Sequence, residues 1–358
     1  MLFLKKIAWV FVLYILSVSH SYANNTTLTI FNWAHYLSDD VVHQWQNETG
    51  VPIEQAFYDD DVERDRIINR RSHRILDIAI LDEISSHNFL ENGKVLDLTK
   101  YDIPNRKYIP ELWQDQCGDA GIPYFWGTLG LVYRKDLFPT PPNSWWEILS
   151  PKPEHRKHII FMSDYTDMFM PSLFTMGVAL SSTDANLLKA VYHQLEQLIP
   201  DVLAFDYVLS YAESNPHDLK NIHLAMAYSG DEEVLNSLDA EYEWGFVTPS
   251  EGTIVWVDCL AVFSQSQHID DAIKFIDYLT RPEISAQNAR DVGNSTANDE
   301  ALRINQVREG GNDMLTVTGQ LPHNPHYYNE IRRVSMTLKH RIASSIIKQH
   351  EQHNHENK

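Results

Sequence analysis

The sequence predicts an α/β fold with two lobes, because β-rich runs alternate with amphipathic helices along a chain too long for one core. The chain has 358 residues, whereas a single hydrophobic core stops growing at roughly 250–300 residues. Near the N-terminus, strands are expected over 28–33, 51–57 and 75–81, with a helix after each. The run 75–81 is almost continuously apolar, which is typical of a parallel strand covered on both faces.

The remaining elements follow from the periodicity of two residues in strands and about 3.6 in helices. A loop is expected over 122–127. Further strands are expected at 129–133, 159–162, 222–228 and 253–263. Helices are expected at 41–50, 62–68, from 84, 145–149, up to 180, 185–198, from 232, 269–279 and from 342. The His-rich end, 350–355, is expected to fray in solvent, the alternative being a metal contact.

The first 23 residues have the pattern of a cleaved export signal. Lys5 and Lys6 precede an apolar run over 7–18, which is too short to span a bilayer. Ser21 and Ala23 are small residues at the positions that cleavage requires. An uncleaved anchor is the alternative. We expect an exported chain of residues 24–358.

The composition restricts the class of partner. The formal net charge is −20, and the loss of a leader with two lysines makes the mature chain more acidic still. Such a chain suits cationic ligands and does not suit nucleic acid, which binds proteins that release its counter-ions. Cys117 and Cys259 either form one disulfide or remain two buried thiols.

No pattern of an enzyme, metal site or cofactor site is visible. The sequence lacks the phosphate-binding, dinucleotide-binding, serine-nucleophile and zinc-protease motifs. The acidic run 59–61 lacks the spaced ligands of a calcium loop, so we interpret it as charge at a helix start. We expect no enzyme, no metal and no cofactor. A secreted hydrolase that uses two carboxylates is the alternative.

The predicted strand 253–263 carries a carboxylate where a buried strand should be apolar. Trp256 and Asp258 are two residues apart and therefore point to the same side of the strand. A buried carboxylate needs a cation or several donors, and an indole offers its π-face to the same cation. The pair therefore indicates a site for a cation, unless Trp256 is a core residue and Asp258 caps a loop.

Other candidate residues stand at the ends of predicted strands. Trp33 and Asp82 follow the strands 28–33 and 75–81, and ligands in open α/β sheets bind beyond such ends. Asp164 and Asp167 are three residues apart at a predicted helix start, so they share a face if the segment is helical. Capping of that helix is the other interpretation, and the two are compatible.

The order of motifs resembles the periplasmic spermidine/putrescine-binding proteins of polyamine importers, over nearly the whole mature chain. The matching segments are FNWAHY at 31–36, NETG at 47–50, LDI at 76–78, IPYFWG at 122–127 and GTIVWVDCL at 252–260. The resemblance implies the two-lobed type II binding-protein fold, with the ligand between the lobes. It implies an N-terminal lobe of 24–133 plus 256–302 and a C-terminal lobe of 134–255 plus 303–358.

The resemblance also implies a set of ligand-binding residues. Trp33 and Tyr36 match an aromatic wall, Tyr228 stands where the family has a wall Trp, and Trp256 and Asp258 match the family's Trp and Asp. Asp164 and Asp167 lie near its paired acids. The sequence departs from the family pattern at Asp82, Ile84 and Asn294, where family members have Ser, Tyr and Tyr. These departures remove aromatic wall and add one acid.

The overall pattern is most similar to the norspermidine-sensing branch of this family. That similarity implies a periplasmic receptor for norspermidine or spermidine, which signals to an inner-membrane enzyme of cyclic di-GMP metabolism and so regulates biofilm formation. The alternative is the solute-binding subunit of an ABC importer, whose partner is a permease. The sequence leaves open which polyamine is preferred.

Overall fold

The computed structural model describes residues 27–58, 61–70, 76–239, 241–308, 321–328 and 333–356. The predicted export signal lies outside these residues, as do two of the three acids of the run 59–61. Within the described ranges, no helix combines the length and the apolar character needed to cross a membrane.

Strands and helices alternate along the chain. The strands are β1 (Leu28–Asn32), β2 (Ile53–Phe57), β3 (Ile78–Asp82), β4 (Ile122–Arg134), β5 (Ile159–Phe161), β6 (Val202–Phe205), β7 (Leu224–Tyr228), β8 (Trp244–Val247), β9 (Thr253–Val262), β10 (Ser295–Thr296) and β11 (Pro325–Tyr327). The α-helices are α1 (Asp39–Thr49), α2 (Asp61–Asn69), α3 (Glu83–Glu91), α4 (Glu111–Cys117), α5 (Trp146–Leu149), α6 (Met170–Met176), α7 (Ala185–Leu198), α8 (Val208–Ser214), α9 (Asp231–Leu238), α10 (Ile269–Leu279), α11 (Pro282–Val292), α12 (Asp299–Arg308) and α13 (Arg333–Glu356). Short 3₁₀ helices cover Leu98–Lys100, Pro104–Tyr108, Pro153–His155, Asp167–Phe169, Ile199–Asp201 and Pro216–Asn221.

Two long strands, β4 and β9, connect the two halves of the sheet. The hydrogen-bonded order is β2-β1-β3-β9-β4-β7-β5-β6. On one side β1 is parallel to β2 and β3, and on the other β5 is parallel to β6 and β7. β9 runs antiparallel to both β3 and β4. Of the shorter strands, β10 and β8 pair with opposite ends of β4, and β11 pairs with β9.

Each half of the sheet is covered by hydrophobic clusters of its own. Trp126 of β4 belongs to the core of the first half and Leu129 to the core of the second. Likewise Ile254 of β9 packs in the second core and Val255 in the first. The predicted lobe boundaries at 133/134, 255/256 and 302/303 stay a prediction. Within β4, the change from the first core to the second lies between Trp126 and Leu129.

Several predicted elements need correction. The expected loop 122–127 is the first half of β4, because all 13 residues of this strand are buried and its pairing with β9 already begins at Ile122. The helix expected to reach 180 ends at Met176, where Gly177 adopts a left-handed conformation with φ of 63°. The helices α11 and α12 were not predicted.

The C-terminal tail is also more ordered than expected. α13 continues to Glu356, and His350 is buried, with Nε2 3.1 Å from the carbonyl oxygen of Val202. Ala343 and Ile346 of the same helix lie in the second core. The predicted fraying is therefore wrong, because the helix continues and buries His350 on the lobe, whereas residues 351–356 are mostly exposed to solvent, as expected.

The two cysteines form a disulfide. Cys117 at the end of α4 is bonded to Cys259 on β9, with a Cα–Cα distance of 5.7 Å. Both residues are fully buried. The bond therefore joins two elements of the first core that are 142 residues apart in sequence.

Candidate functional site

The strand register places two predicted acids side by side. Asp82, the last residue of β3, is paired with Asp258 of β9 in the antiparallel ladder. Residues directly opposite in such a ladder point to the same face, and Trp256 shares that face because it lies two residues before Asp258. Two carboxylates and one indole therefore converge where β9 passes between the lobes.

The position of the Trp256 ring depends on a glycine in the neighbouring strand. Gly127 of β4 pairs with Trp256, and a Cβ atom at Gly127 would lie 2.3 Å from Cζ2 of the indole and 2.6 Å from Oγ of Ser229. Only glycine leaves the indole this space. Among the described residues, the buried Nε1 of Trp256 has no hydrogen-bond partner. The ring of Tyr228 meets the indole edge to face, with centroids 6.3 Å apart.

Asp258 is held by a tyrosine from the segment between β1 and α1. The hydroxyl of Tyr36 donates to Oδ2 of Asp258 at 2.5 Å. Asp258 is only 9% exposed. Burial raises the pKa of Asp258 to about 7, although the Tyr36 bond acts in the opposite direction. The Tyr36 ring packs edge to face on Phe125 at 5.2 Å, which fixes its direction.

Asp167 makes the equivalent contacts on the second lobe. It is fully buried and accepts hydrogen bonds from the hydroxyls of Tyr228 at 2.6 Å and Tyr328 at 2.5 Å. Burial raises the pKa of Asp167 to about 7, and the nearby Asp164 adds to the effect. Lys339 of α13 is fully buried, and its charge attracts the carboxylate of Asp167. Its Nζ donates to the carbonyl oxygen of Leu180 at 2.7 Å.

Asp164 caps the turn that carries Asp167. Its Oδ1 accepts from the backbone amides of Thr166 at 2.7 Å and Asp167 at 2.9 Å. The side chain is exposed to water, yet the protein atoms around it desolvate the carboxylate and raise its pKa. The charge of Asp82 acts in the same direction. Asp164 thus has the predicted capping role and also faces the first lobe.

Asp82 differs from the other acids because the protein supplies its cation. Its Oδ2 accepts from Nη2 of Arg64 at 2.7 Å, and its Oδ1 caps α3 by accepting from the amide of Ser85 at 2.7 Å. Burial alone would raise the pKa of Asp82, yet Arg64 and Ser85 bring it below its ordinary value.

Trp33 reaches this region through another aromatic residue. Its ring lies 4.5 Å from that of Tyr58, and the guanidinium of Arg64 lies 5.6 Å from the Tyr58 centroid. The Tyr58 hydroxyl donates to the carbonyl oxygen of Ile80 at 2.6 Å. Trp33 therefore lines the Asp82 side of the site and has no ring contact with Trp256 among those described.

These contacts link all eight predicted site residues in one region. We call them, together with Tyr328, the aromatic–acidic cluster: Trp33, Tyr36, Asp82, Asp164, Asp167, Tyr228, Trp256, Asp258 and Tyr328. The cluster takes residues from both lobes and is rich in carboxylates. Its chemistry suits an elongated cation with apolar segments. Within the described ranges, no group of three or more metal-binding side chains is placed to hold a metal ion.

Sequence reasoning missed four residues of this region: Tyr58, Arg64, Glu83 and Tyr328. Glu83 is fully buried and accepts from the backbone amides of Val257 and Tyr328, each at 3.3 Å. Burial raises the pKa of Glu83 well above its ordinary value. A signal existed only for Arg64, which follows Asp61 by three residues on one helix face.

A two-lobed α/β fold with a polar, aromatic-lined site between its lobes defines the class of solute-binding proteins. The chain belongs to the bacterial extracellular solute-binding protein family, whose profile matches residues 46–312. This is a family of binding proteins and not of enzymes.

The relatives of the chain agree with this assignment. It is 31% identical over 329 residues to the norspermidine sensor of Vibrio cholerae, covering 92% of this chain and 91% of that protein. It is 24% identical over 325 residues to the spermidine/putrescine-binding periplasmic protein of Escherichia coli K12, covering 89% and 91% of the two chains. The predicted family and the predicted periplasmic location are confirmed.

The solved structures confirm the predicted fold. The chain superposes on the spermidine/putrescine ABC transporter substrate-binding protein of Streptococcus pneumoniae with a TM-score of 0.77 and 23% identity. The match covers 91% of this chain and 99% of that one. The two-lobed type II binding-protein fold is therefore the architecture of this protein.

Proposed function

We propose that the protein is a periplasmic receptor for a linear polyamine, norspermidine or spermidine, held by Asp164, Asp167 and Asp258 and by the aromatic side chains of the aromatic–acidic cluster. The observation that carries the proposal is the pair Asp258 and Asp167. Each is buried, each is held by tyrosine hydroxyls, and each has its pKa raised to about 7 by burial. Buried carboxylates of this kind become favourable once a ligand brings a cation.

The chemistry of a polyamine matches the composition of the cluster. Ammonium groups separated by methylenes need carboxylates at intervals and aromatic faces between them. Cation–π contacts contribute about 0.5–2 kcal/mol each, and ammonium–carboxylate bonds are charge-assisted. In the proposed pose, Asp258 binds one ammonium group, and Asp164 with Asp167 binds a terminal one. The aromatic walls are Trp33, Tyr36, Tyr228 and Trp256.

The relatives support the ligand class. One is a norspermidine sensor and another is a spermidine/putrescine-binding protein. Both align with most of this chain, so the resemblance includes both lobes.

The direct test is calorimetric titration of the mature protein with norspermidine, spermidine and putrescine. We expect Asp258→Asn to weaken triamine binding by roughly tenfold or more, because an amide cannot supply the charge. Asp270→Asn is the control, since Asp270 is an exposed acid of the first turn of α10. No heat with any polyamine, or equal affinities in the wild type and Asp258→Asn, contradicts the proposal.

We further propose that the receptor signals to an inner-membrane enzyme of cyclic di-GMP metabolism and so regulates biofilm formation. The support is the similarity to a sensor. Closure of the lobes on the ligand changes the surface that a membrane partner meets. The second candidate is the solute-binding subunit of an ABC importer, which the similarity to an importer-type binding protein favours. A deletion strain separates them: loss of polyamine-dependent cyclic di-GMP change supports the sensor, and loss of labelled polyamine uptake supports the importer.

A further inference from the structure

Arg64, beside the aromatic–acidic cluster, is the most deeply buried of the described arginines. Its side chain is only 1% exposed, although it belongs to the polar helix α2. Its Nη1 donates to Asp61 at 2.5 Å, and its Nε and Nη2 donate to Asp65 at 3.0 and 2.9 Å. The same Nη2 reaches Asp82 at 2.7 Å and Oγ of Ser85 at 2.5 Å.

These contacts give Asp82 and Asp258, two neighbouring acids of the sheet, different electrostatic surroundings. Asp82 and Asp258 are direct partners in the ladder between β3 and β9. Arg64 binds Asp82, whereas the contact of Asp258 is the neutral hydroxyl of Tyr36. Of this pair, Asp258 is therefore the carboxylate left for a ligand cation.

The guanidinium is also fixed in a way that a ligand could not easily displace. It keeps its charge at all relevant pH values and uses several donors at once. The Tyr58 ring lies beside it, and Trp33 packs on Tyr58. Displacing Arg64 would break its contacts with Asp61, Asp65 and Asp82 at the same time. The carboxylate of Asp82 would then need another cation.

We propose that Arg64 is a built-in cation that fills the ammonium position at Asp82 and thereby limits the length of the ligand. The inference rests on the proposed polyamine function and makes Arg64 a specificity-determining residue. The ligand is then a diamine or triamine, whose ammonium groups are bound at Asp258 and at the Asp164–Asp167 pair. A tetraamine carries two more ammonium groups than these two positions bind, and the next carboxylate, Asp82, is already paired with Arg64.

The test is calorimetric titration with putrescine, norspermidine, spermidine and the tetraamine spermine. The proteins are the wild type, Asp82→Asn, Arg64→Gln and the double variant, with Arg66→Gln as the control. Arg66 lies on the same helix, is 54% exposed and contacts Glu63. Asn at position 82 retains the cap of α3, so this variant changes the charge and keeps the helix.

We expect Asp82→Asn to bind norspermidine within about twofold of the wild type, because Arg64 and not the ligand uses that carboxylate. We expect Arg64→Gln to raise the affinity for spermine relative to norspermidine by about tenfold, the factor of one charge-assisted contact. The double variant should lose this gain. Arg66→Gln should behave like the wild type.

Two results overturn the inference while leaving the proposed function intact. One is a tenfold loss of norspermidine affinity in Asp82→Asn, which makes Asp82 a ligand-binding group. The other is an equal loss of all polyamines in a folded Arg64→Gln, which makes Arg64 a structural residue only. If Arg64→Gln does not fold, the norspermidine affinity of Asp82→Asn alone decides whether the inference stands. A wild type that binds no polyamine removes the proposed function and this inference together.

Discussion

Asp258 and Asp167 are the two residues whose protonation should respond to the ligand. Each is buried in a ligand-free site, and burial raises the pKa of each to about 7 from an ordinary value of 3.8. A bound ammonium group favours the charged carboxylate and therefore lowers both pKa values. Binding is then coupled to the release of protons near neutral pH.

We predict that polyamine affinity rises between pH 6 and pH 8. Below pH 7 the free protein holds protons on Asp258 and Asp167 that binding must remove, whereas above pH 7 the carboxylates are already charged. Titrations in two buffers with different heats of ionisation measure the number of protons released.

The proton release should be smaller in Asp258→Asn than in the wild type at pH 7. Asp270→Asn should release as many protons as the wild type, because Asp270 is exposed and lies on the first turn of α10. An affinity that is the same at pH 6 and pH 8, with no dependence on the buffer, contradicts the prediction.

At the residue scale, the sequence predicted which side chains come together better than it predicted their contacts. The alternation of side chains along a strand was enough to put Trp256 and Asp258 on one face. The Arg64–Asp82 ion pair could not be predicted, because it joins a helix to a strand end 18 residues away. Tyr328 directly follows β11, whose position depends on pairing with β9 across 72 residues of chain, Thr253 to Pro325.

At the element scale, three histidines pack where β5 and β7 begin, at the ends of these strands opposite Asp164 and Tyr228. The rings of His158 and His223 stack with centroids 3.9 Å apart, and Nδ1 of His223 lies 3.2 Å from Nδ1 of His155. Burial, the two neighbouring histidines and Arg134 lower the pKa of His223 to about 4, against a smaller opposing effect of Asp136.

We predict that this histidine group makes folding sensitive to acid. Between pH 6.5 and pH 4 the unfolded chain binds a proton at His223 that the folded chain does not, so stability falls as pH falls. His223→Gln should therefore lose less of its melting temperature than the wild type over this interval, by about 2–4 °C.

The quantity to measure is the difference in melting-temperature loss between the wild type and His223→Gln. The absolute loss is less informative, because Asp258 and Asp167 change the stability with pH in the opposite direction. Their raised pKa values mean that the folded, ligand-free protein binds more protons between pH 4 and pH 7, so they reduce stability as pH rises. His217→Gln is the control, since His217 is exposed. If the melting temperatures of the wild type and His223→Gln fall equally between pH 6.5 and pH 4, the prediction is contradicted.

The elements that the sequence missed have different physical causes. The helix α11 begins at Pro282, three residues after α10 ends at Leu279, and a proline there resembles the stop of one helix more than the start of another. The helix α12 is mostly polar and has little separation of apolar and polar faces. The segment 122–127 contains Pro123 and Gly127, which are typical of loops. The strand forms nevertheless because Pro123 and Gly127 both keep partners on β9, and a register shift between Pro123 and Trp126 accommodates the irregularity.

At the scale of the whole molecule, the disulfide between Cys117 and Cys259 closes a long covalent loop. The bond joins α4 to β9 next to Asp258, and it encloses both crossings between the lobes in β4 and β9. The sequence left its formation open, because the distance between two thiols 142 residues apart depends on the complete fold.

We predict that replacing both cysteines with alanine lowers the free energy of unfolding by about 2–5 kcal/mol, because the unfolded chain regains the entropy of the open loop. Urea unfolding of the variant and of the oxidised wild type measures the difference. Alanine is chosen because serine would bury two hydroxyl groups. A difference below about 0.5 kcal/mol contradicts the prediction.

The same loop determines how the protein responds to mechanical force. When the two chain ends are pulled apart, tension passes from Cys117 directly to Cys259, so the segment 118–258 carries no load. α13 lies outside the loop and packs on the second lobe, and it is therefore stripped from that lobe first. The fully stretched oxidised chain is shorter by roughly 50 nm than the reduced one, at about 3.5 Å for each shielded residue.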